Sequence, residues 1–289
     1  MKTQTTKIET QLERNLRSLR LPAIRDSYEG AAREAERNGL GYEMYLHELI
    51  QRECDERRER RINKMLVESR LPIEKSLGAF DMSRLPPKPL RQIRSLEDGQ
   101  FLDRNDNVLM FGTPGSGKSH LAAGLGQSLI RKGHSILFAR YDLLIQELLL
   151  AEQDRSLPKL LKKFARYEGL IIDDLGHINE TNMEATAALF ALIADRYEHG
   201  SIILTSNLPF SKWETIFKQA MTTVAVIDRL VHHSVVIELN IPSFRLEHAK
   251  ANLQALSESI DTIEDLPTLP IDERDEYING AALQNLTPQ

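Results

Sequence analysis

Eight consecutive residues, Gly112 to Ser119, combine residue types that can bind the phosphates of a nucleotide. An apolar run precedes them and an Ala/Leu-rich segment follows, so the predicted order is strand, loop and helix. Lys118 would place a positive charge at the β- and γ-phosphates, and Ser119 would offer a hydroxyl to Mg²⁺. The segment fits the phosphate-loop pattern G-x-x-x-x-G-K-[ST] and predicts a nucleoside triphosphate site. The predicted binding residues are Gly112, Thr113, Pro114, Gly115, Ser116, Gly117, Lys118, Ser119 and His120.

Polar residues end two later apolar runs and could act on the bound nucleotide. Asp173 and Asp174 end one run, and Asn207 ends the next. Because the carboxyl ends of parallel strands meet at one edge of a sheet, these side chains are expected beside the phosphate loop. Asp173 would hold Mg²⁺, Asp174 would polarise the attacking water, and Asn207 would contact the γ-phosphate or that water. The alternative is a pair of polar turns, since Asp and Asn also favour such turns.

Arg229 lies far along the chain from the phosphate loop, just before the last predicted strand. An arginine on a distant helix can complete the nucleotide site of a neighbouring subunit and stabilise the charge of the transferring phosphoryl group. The alternative is a surface ion pair with the adjacent Asp228. Together with the acidic residues above, Arg229 indicates a hydrolysis site that is completed between subunits.

Five apolar runs separated by helical segments must position these groups. The runs do not alternate with polar residues, as is typical of parallel strands buried on both faces. They are Val108–Phe111, Ser135–Ala139, Gly169–Asp174, Ser201–Asn207 and Ser234–Leu239. The sequence therefore predicts an α/β fold with a doubly wound parallel sheet.

Helical periodicity dominates the chain before the sheet, with a break at Pro22 and an end at Asn38-Gly39. A third helical segment contains six bases and four acids between Arg52 and Lys64. Mixed signs favour a solvated helix with ion pairs such as Glu53 with Arg57. The sharper hypothesis is a stripe that contacts DNA phosphates, formed by Arg57, Arg58, Arg61 and Lys64.

Composition shifts suggest four segments: a helical domain (1–69), a proline-containing linker (70–104), a nucleotide-binding domain (105–253) and an acidic tail (254–289). Prolines argue against a helix through the linker, with Phe80 and Leu85 as its anchors. The tail contains eight acids and one base, which give it a net charge of −7. Because the whole chain has a net charge of −5, the rest of the chain carries +2. Charge alone therefore neither demands nor excludes binding to DNA.

The single cysteine, Cys54, excludes an internal disulfide and is expected to be a buried apolar side chain. The sequence contains no apolar stretch of about 18 residues and no recognisable signal peptide. We therefore expect a cytoplasmic protein without a membrane partner.

Five motifs in one order resemble the IstB-type transposition helper ATPases of bacterial insertion sequences. This family lies in the AAA+ superfamily, close to the DnaC helicase loaders. The resemblance covers roughly residues 12–250. The motifs are the phosphate loop, Leu170–Gly176, Thr205–Trp213, Asp228–His233 and Ser243–Leu246.

The resemblance implies an AAA+ ATPase core with a five-stranded parallel sheet and a small, all-helical N-terminal domain. It implies ATP and Mg²⁺ as cofactors, with hydrolysis of ATP to ADP and phosphate. Its implied partners are duplex DNA, a cognate transposase and further copies of the chain. The implied roles are Walker A for Lys118 and Ser119, Walker B for Asp173 and Asp174, sensor 1 for Asn207, the trans-acting finger for Arg229 and a sensor 2 contact for Arg245.

The implied function is an ATP-dependent regulator that assembles on target DNA and directs integration by the transposase. A DnaC-like loader of a replicative helicase is the alternative within the superfamily. A P-loop kinase acting on a small molecule is the alternative from another class, although it leaves Arg229 without an obvious role.

Overall fold

Five parallel strands form one sheet in the computed structural model, which describes residues 11–176, 183–217, 219–244, 246, 247, 250 and 253. The strands are β1 (Asn107–Gly112), β2 (Ile136–Arg140), β3 (Gly169–Leu175), β4 (Ser201–Ser206) and β5 (Ser234–Leu239). They lie in the order β2-β3-β4-β1-β5, and every neighbouring pair is parallel. The predicted α/β fold with a five-stranded parallel sheet is therefore confirmed.

Helices precede the sheet and alternate with its strands. Those preceding it are α1 (residues 11–18), α2 (Pro22–Asn38), α3 (Tyr42–Glu68), α4 (Pro87–Leu96) and α5 (Gln100–Asp103). Those that follow β1 are α6 (Lys118–Arg131), α7 (Tyr141–Gln153), α8 (Leu157–Phe164), α9 (Met183–Arg196), α10 (Glu214–Phe217) and α11 (Ala220–Val231). None of these helices is long and apolar enough to cross a membrane.

Both faces of the sheet are buried, which explains why its strands read as unbroken apolar runs. Successive side chains of β1 point to opposite faces. Leu109 packs in a cluster with residues of α7, α9 and α11, whereas Val108 and Met110 pack with residues of α6. All three are fully buried. This two-sided core holds the carboxyl edge of the sheet, where the predicted site lies, in a fixed geometry.

A buried carboxylate joins α2 to α3. Glu53 of α3 accepts hydrogen bonds from the N–H groups of Ala23 (2.8 Å) and Ile24 (3.3 Å), which lie in the first turn of α2. It also accepts one from Nε of Arg57 at 2.8 Å. Burial raises the pKa of Glu53, but these hydrogen bonds outweigh burial and hold the pKa below its ordinary value. Glu53 thus caps a helix distant in sequence, while Gly39 ends α2 as predicted, with φ +64°.

The long helix α3 also packs against the sheet domain. Its 27 residues span about 40 Å, and Ile62, Met65 and Leu66 pack on the cluster that contains α6. Just beyond its end, the carbonyl of Ser69 accepts a hydrogen bond from the N–H of Phe138 in β2 at 2.7 Å. The N-terminal helices are therefore anchored to the edge of the sheet through α3.

Two local expectations are wrong. A helix, α4, lies within the predicted linker and begins at Pro87. Proline is tolerated in a first turn because its missing N–H would have no helical partner there. Cys54 is exposed rather than buried, since α3 turns Glu53 inward instead. The predicted anchors hold, because Leu85 is buried and Phe80 packs partly buried against the core.

A buried arginine fixes the connection between α8, β3 and β4. Arg196 of α9 donates to the carbonyl of Phe164, the last residue of α8, at 3.0 Å, and to those of Tyr167, Glu168 and Ser201 at 3.0–3.1 Å. Burial lowers the pKa of Arg196 to about 10. The carbonyl dipoles take the place of a carboxylate partner and hold the end of α8 against the body of the protein.

The backbone divides into two units, Met1–Ile241 and Pro242–Gln289. All the elements above belong to the first unit. Arg245 and the acidic tail (254–289) lie outside the described residues. The boundaries inferred from composition remain predictions, and the one at residue 69 falls at the end of α3.

Candidate nucleotide site

The phosphate loop connects β1 to α6 and lies between β5 and the linker. A Cβ at Gly112 would lie 2.4 Å from the carbonyl oxygen of Leu239 in β5. Gly117 has φ +88°, and a Cβ there would lie 2.5 Å from Cε2 of Phe80. Only glycine fits either position without displacing a neighbour. The packing around the loop thus requires glycine at these two positions of the motif.

Lys118 is buried and closes the loop on itself. Its Nζ donates to the carbonyl oxygens of Gly112 at 2.8 Å and Thr113 at 2.9 Å. Ser119 lies next to it in the first turn of α6, where backbone N–H groups and the helix dipole favour an anion. Within the loop, Oγ of Ser116 is buried without a hydrogen-bond partner. The loop therefore presents a positive charge, helix N–H groups and an unsatisfied hydroxyl in one place.

His120 links the loop to the linker. Its Nε2 lies 2.8 Å from the carbonyl oxygen of Ser76, and its ring meets that of Phe80 edge to face, with centroids 5.3 Å apart. Residues 76–80 therefore lie against the loop and the start of α6. This contact gives His120 a positioning role, whereas its predicted contact with the nucleotide remains a prediction.

A threonine joins the two predicted acidic residues to β4. Thr205, which is fully buried, donates from Oγ1 to Oδ1 of Asp173 at 2.6 Å. Oγ1 of Thr205 in turn accepts a hydrogen bond from the N–H of Asp174 at 2.8 Å. Sequence reasoning assigned Thr205 no role, because nothing in the run Thr-Ser-Asn indicates which hydroxyl faces β3. Its contacts fix the carboxylate of Asp173 and the backbone of Asp174 together.

The backbone at Asp174 departs from the regular strand. Its φ is +66°, in the left-handed region, and the register between β3 and β4 shifts between Ile172 and Leu175. Aspartate enters this region more readily than most residues, although at some cost. Asp173 is buried, whereas Asp174 is partly exposed, and their different roles remain predictions.

The strand register brings Asn207 to the same edge. Phe111 pairs with Ser206, so Gly112 and Asn207 are the next residues along their strands, and Leu175 of β3 also pairs with Ser206. Oδ1 of Asn207 is buried without a hydrogen-bond partner. A buried acceptor without a donor costs about 1–3 kcal/mol. A water or ligand bound at this edge would remove that cost.

Arg229 lies at the amino ends of the strands, opposite to the phosphate loop. Nδ2 of Asn107, the first residue of β1, donates to the carbonyl oxygens of Arg229 (3.4 Å) and Leu230 (3.1 Å). At about 3.3 Å per residue, the two ends of β1 are about 16 Å apart, which one arginine side chain does not span. Arg229 instead donates to the carbonyl of Ala225 at 3.0 Å and lies 5.0 Å from the ring centroid of Phe190. The structure therefore does not bring Arg229 to the phosphate loop of its own chain.

A cavity of about 230 Å³ lies beside Arg229 at this amino edge. Arg196, Tyr197 and Asn107 are among its lining residues, and no residue of the phosphate loop lines it. This cavity is not the predicted nucleotide site, because the predicted phosphate-binding groups lie at the other end of the strands.

Two of the four bases in the stripe predicted on α3 are paired with acids. Arg57 bonds to Glu53 and to the carbonyl of Arg20, and Lys64 lies 3.8 Å from Glu68. Arg58 and Arg61 are exposed, and the described part of the chain contains no ion pair for either. The ion-pair interpretation of this helix therefore holds for Arg57 and Lys64.

Comparison with known proteins identifies close relatives in sequence. A family model described as IstB-like ATP binding protein matches residues 14–252. A protein of Sinorhizobium fredii named as an insertion sequence ATP-binding protein is 38% identical over 242 residues, which cover 83% of this chain and 81% of that protein. The protein named as the ATP-binding protein of insertion sequence IS21 from Pseudomonas aeruginosa is 34% identical over 240 residues, covering 83% and 90% respectively.

One solved structure is similar in fold. DnaA from Aquifex aeolicus, in its AMPPCP-bound form, superposes with a TM-score of 0.50 at 17% sequence identity. The match covers 75% of this chain and 67% of that chain. At this level of identity the similarity shows the fold alone, and it confirms the AAA+-like architecture of the sheet and its helices.

Proposed function

Because the chain belongs to the family of IstB-like ATP-binding proteins, we propose that it is an insertion-sequence ATPase that assembles on target DNA. ATP drives the assembly of several copies on duplex DNA, and hydrolysis regulates the transfer of that DNA to the cognate transposase. One observation carries this proposal: Lys118, Asp173, Asp174 and Asn207 lie at one edge of the sheet, and Arg229 lies at the other.

The residues at the carboxyl edge fit ATP with Mg²⁺. Magnesium is usually held by one or two carboxylates together with substrate phosphates rather than by an all-protein cage. The described residues contain no group of three or more His, Cys, Asp or Glu that could hold a metal ion, whereas Asp173 and Ser119 suit the shared arrangement. The unpaired oxygens of Ser116 and Asn207 also suit a site that is completed by a ligand.

Hydrolysis requires a positioned water. Asp174 has the more exposed carboxylate of the two acids, and it accepts the proton as this water attacks the γ-phosphate. Asn207 orients the same water through its unpaired Oδ1. Lys118 exchanges its two loop carbonyls for phosphate oxygens and stabilises the charge that develops on them. Thr205 holds Asp173 and the backbone of Asp174 in place throughout.

A neighbouring subunit supplies the remaining positive charge. Arg229 lies about 16 Å from its own phosphate loop along β1, so it acts on the nucleotide of another copy of the chain. In a head-to-tail arrangement, the amino edge of one sheet domain faces the carboxyl edge of the next. Turnover then depends on assembly, which makes ATP hydrolysis responsive to the DNA that organises the copies.

The test is the size of the protein in solution. Sedimentation velocity should show a larger assembly when a non-hydrolysable ATP analogue and duplex DNA are both present than in their absence. The Lys118→Ala protein should remain small under the same conditions, because it does not bind the analogue. An unchanged size for the wild-type protein would refute ATP-driven assembly, and binding to a replicative helicase without binding to the transposase would refute the role in transposition.

A further inference from the structure

The helix α8 carries a basic face that the predicted stripe on α3 does not include. Between Arg155 and Tyr167 the sequence contains five bases and no acid. The bases, all of them exposed, are Arg155, Lys159, Lys162, Lys163 and Arg166. On the other side of the helix, Phe164 is buried and Leu157, Leu160 and Leu161 pack partly buried against the core. The helix is thus sharply divided into an apolar face and a basic one.

Helical geometry places three of the bases together. Lys159, Lys162 and Lys163 have the spacing i, i+3 and i+4, which at 100° per residue falls within an arc of about 100°. Arg166 follows two residues after the end of α8. Arg155 precedes the helix by two residues. Because Arg196 holds the carbonyl of Phe164 at 3.0 Å, this face is presented on a helix whose end is fixed rather than on a loose segment.

Most of this charge is not neutralised within the protein. Lys163 pairs with Glu147 at 3.2 Å. For Arg155, Lys159, Lys162 and Arg166, the structure contains no ion pair with any residue that it describes. The contrast is with α3, where Arg57, Arg60 and Lys64 each lie beside an acid of the same helix. Two of the four cations without an ion pair in the described chain lie on α8, and the other two lie two residues before and two residues after it. Together they make a concentrated positive surface on a chain whose net charge is −5.

The basic face lies next to the end of α3. The carboxylate of Glu147 binds Lys163 through Oε1 and Arg70 through Oε2, the latter at 3.3 Å. Arg70 lies two residues beyond the end of α3. Helix α8 therefore lies beside the junction at which the N-terminal helices meet the sheet domain. One elongated ligand can contact both α8 and this junction.

We propose that the exposed basic surface formed by Lys159 and Lys162 of α8 and by the flanking Arg155 and Arg166 binds the phosphate backbone of duplex DNA. This inference rests on the proposed function and specifies which surface meets the DNA. A duplex carries one negative charge per about 1.7 Å of its axis, so several phosphates lie within reach of α8, whose eight residues span about 12 Å. Contacts of this kind position the duplex without reading its sequence.

The test is the salt dependence of DNA binding by full-length protein with a non-hydrolysable ATP analogue. Each phosphate contact contributes about 0.9 to the slope of log affinity against log salt. The double variant Lys159→Gln/Lys162→Gln should reduce this slope by about 1.8. If the wild-type protein and the variant have equal DNA affinity at 1 M salt, this change corresponds to roughly 60-fold weaker binding by the variant at 0.1 M salt. Lys159→Arg with Lys162→Arg should bind as the wild type does. The matched control, Arg60→Gln with Lys64→Gln, removes two bases that are paired with acids and should have a much smaller effect.

Each result decides the proposal. Analogue binding by the Lys159→Gln/Lys162→Gln protein should be unchanged, which shows that its nucleotide site is intact. If that protein binds DNA with wild-type affinity and slope, α8 is not the DNA surface, although the proposed function stands. The proposal would also be overturned if the control Arg60→Gln/Lys64→Gln lost as much DNA affinity as the Lys159→Gln/Lys162→Gln protein. It would be overturned as well if the latter protein kept its DNA affinity but no longer bound the transposase. If the wild-type protein binds no duplex DNA with the analogue, the proposed function and this inference both fail.

Discussion

Replacing Thr205 with valine would test how β4 positions the acidic end of β3. The substitution keeps the shape of the side chain but removes the hydroxyl that bonds to Asp173 at 2.6 Å and to the N–H of Asp174 at 2.8 Å. A hydrogen bond to a charged group contributes about 1.5–3 kcal/mol, and a buried N–H without an acceptor costs about 1–3 kcal/mol. We therefore expect Thr205→Val to destabilise the fold by about 2–4 kcal/mol, after allowance for overlap between the two contributions.

The same substitution should impair catalysis more than nucleotide binding. Thr205 lies in β4 and is not part of the phosphate loop, so binding of an ATP analogue without Mg²⁺ should change little. The Mg²⁺-dependent part of binding, and ATP turnover, should fall because Asp173 loses its orientation. Urea unfolding measures the stability, and fluorescence titration with and without Mg²⁺ measures the binding.

Thr205→Ser is the matched control, because it keeps the hydroxyl and removes only the methyl group. It should retain most of the Mg²⁺ effect and of the turnover. If Thr205→Val showed wild-type stability and turnover, the hydrogen-bond chain would have no positioning role. If serine and valine were equally damaging, packing of the methyl group would be the cause instead.

Three further substitutions address the loop, the catalytic acid and the N-terminal helices. Gly117→Ala should weaken ATP binding at least tenfold in a titration, since φ is +88° and the Cβ would lie 2.5 Å from Phe80; unchanged affinity would mean that the loop adapts easily. Asp174→Asn should bind ATP but lose turnover by about 10²–10⁴-fold, and wild-type turnover would exclude Asp174 as the base. Because hydrogen bonds hold the pKa of Glu53 below 4.5 in the folded protein, its contribution to stability is present above that pH and is lost as the pH falls through the folded pKa. Glu53→Gln should therefore lower the unfolding free energy at pH 7 more than at acidic pH, and an equal loss at both would contradict the ionic cap.

The sequence predicted the sheet well because burial on both faces leaves a direct signature. Unbroken apolar runs marked all five strands to within about one residue at each end. The ends of these runs also predicted that Asp173 and Asn207 share an edge with the phosphate loop, since parallel strands align their carboxyl ends. These inferences required only local patterns and the topology of parallel sheets.

Contacts between distant segments were not predictable in this way. The role of Thr205 depends on a register shift between β3 and β4, which no local pattern reveals. The inward position of Glu53 depends on the N–H groups of α2, 29 and 30 residues away. The mixed charges of α3 favoured a solvated helix over a DNA-contacting stripe, and they gave no indication that several bases in and beside α8 have no acidic partner among the described residues. In each case the decisive partner lies on another element.

In the proposed assembly, Arg229 of a neighbouring copy completes each nucleotide site. The most direct measurement is ATP turnover of Arg229→Ala protein, of Lys118→Ala protein, and of their mixture in the presence of duplex DNA. Each protein alone should be inactive, the first for lack of the completing charge and the second for lack of nucleotide binding. Mixing should restore turnover, because some sites then pair an intact phosphate loop with an intact Arg229. A mixture as inactive as its components, or an active Arg229→Ala protein, would contradict the account.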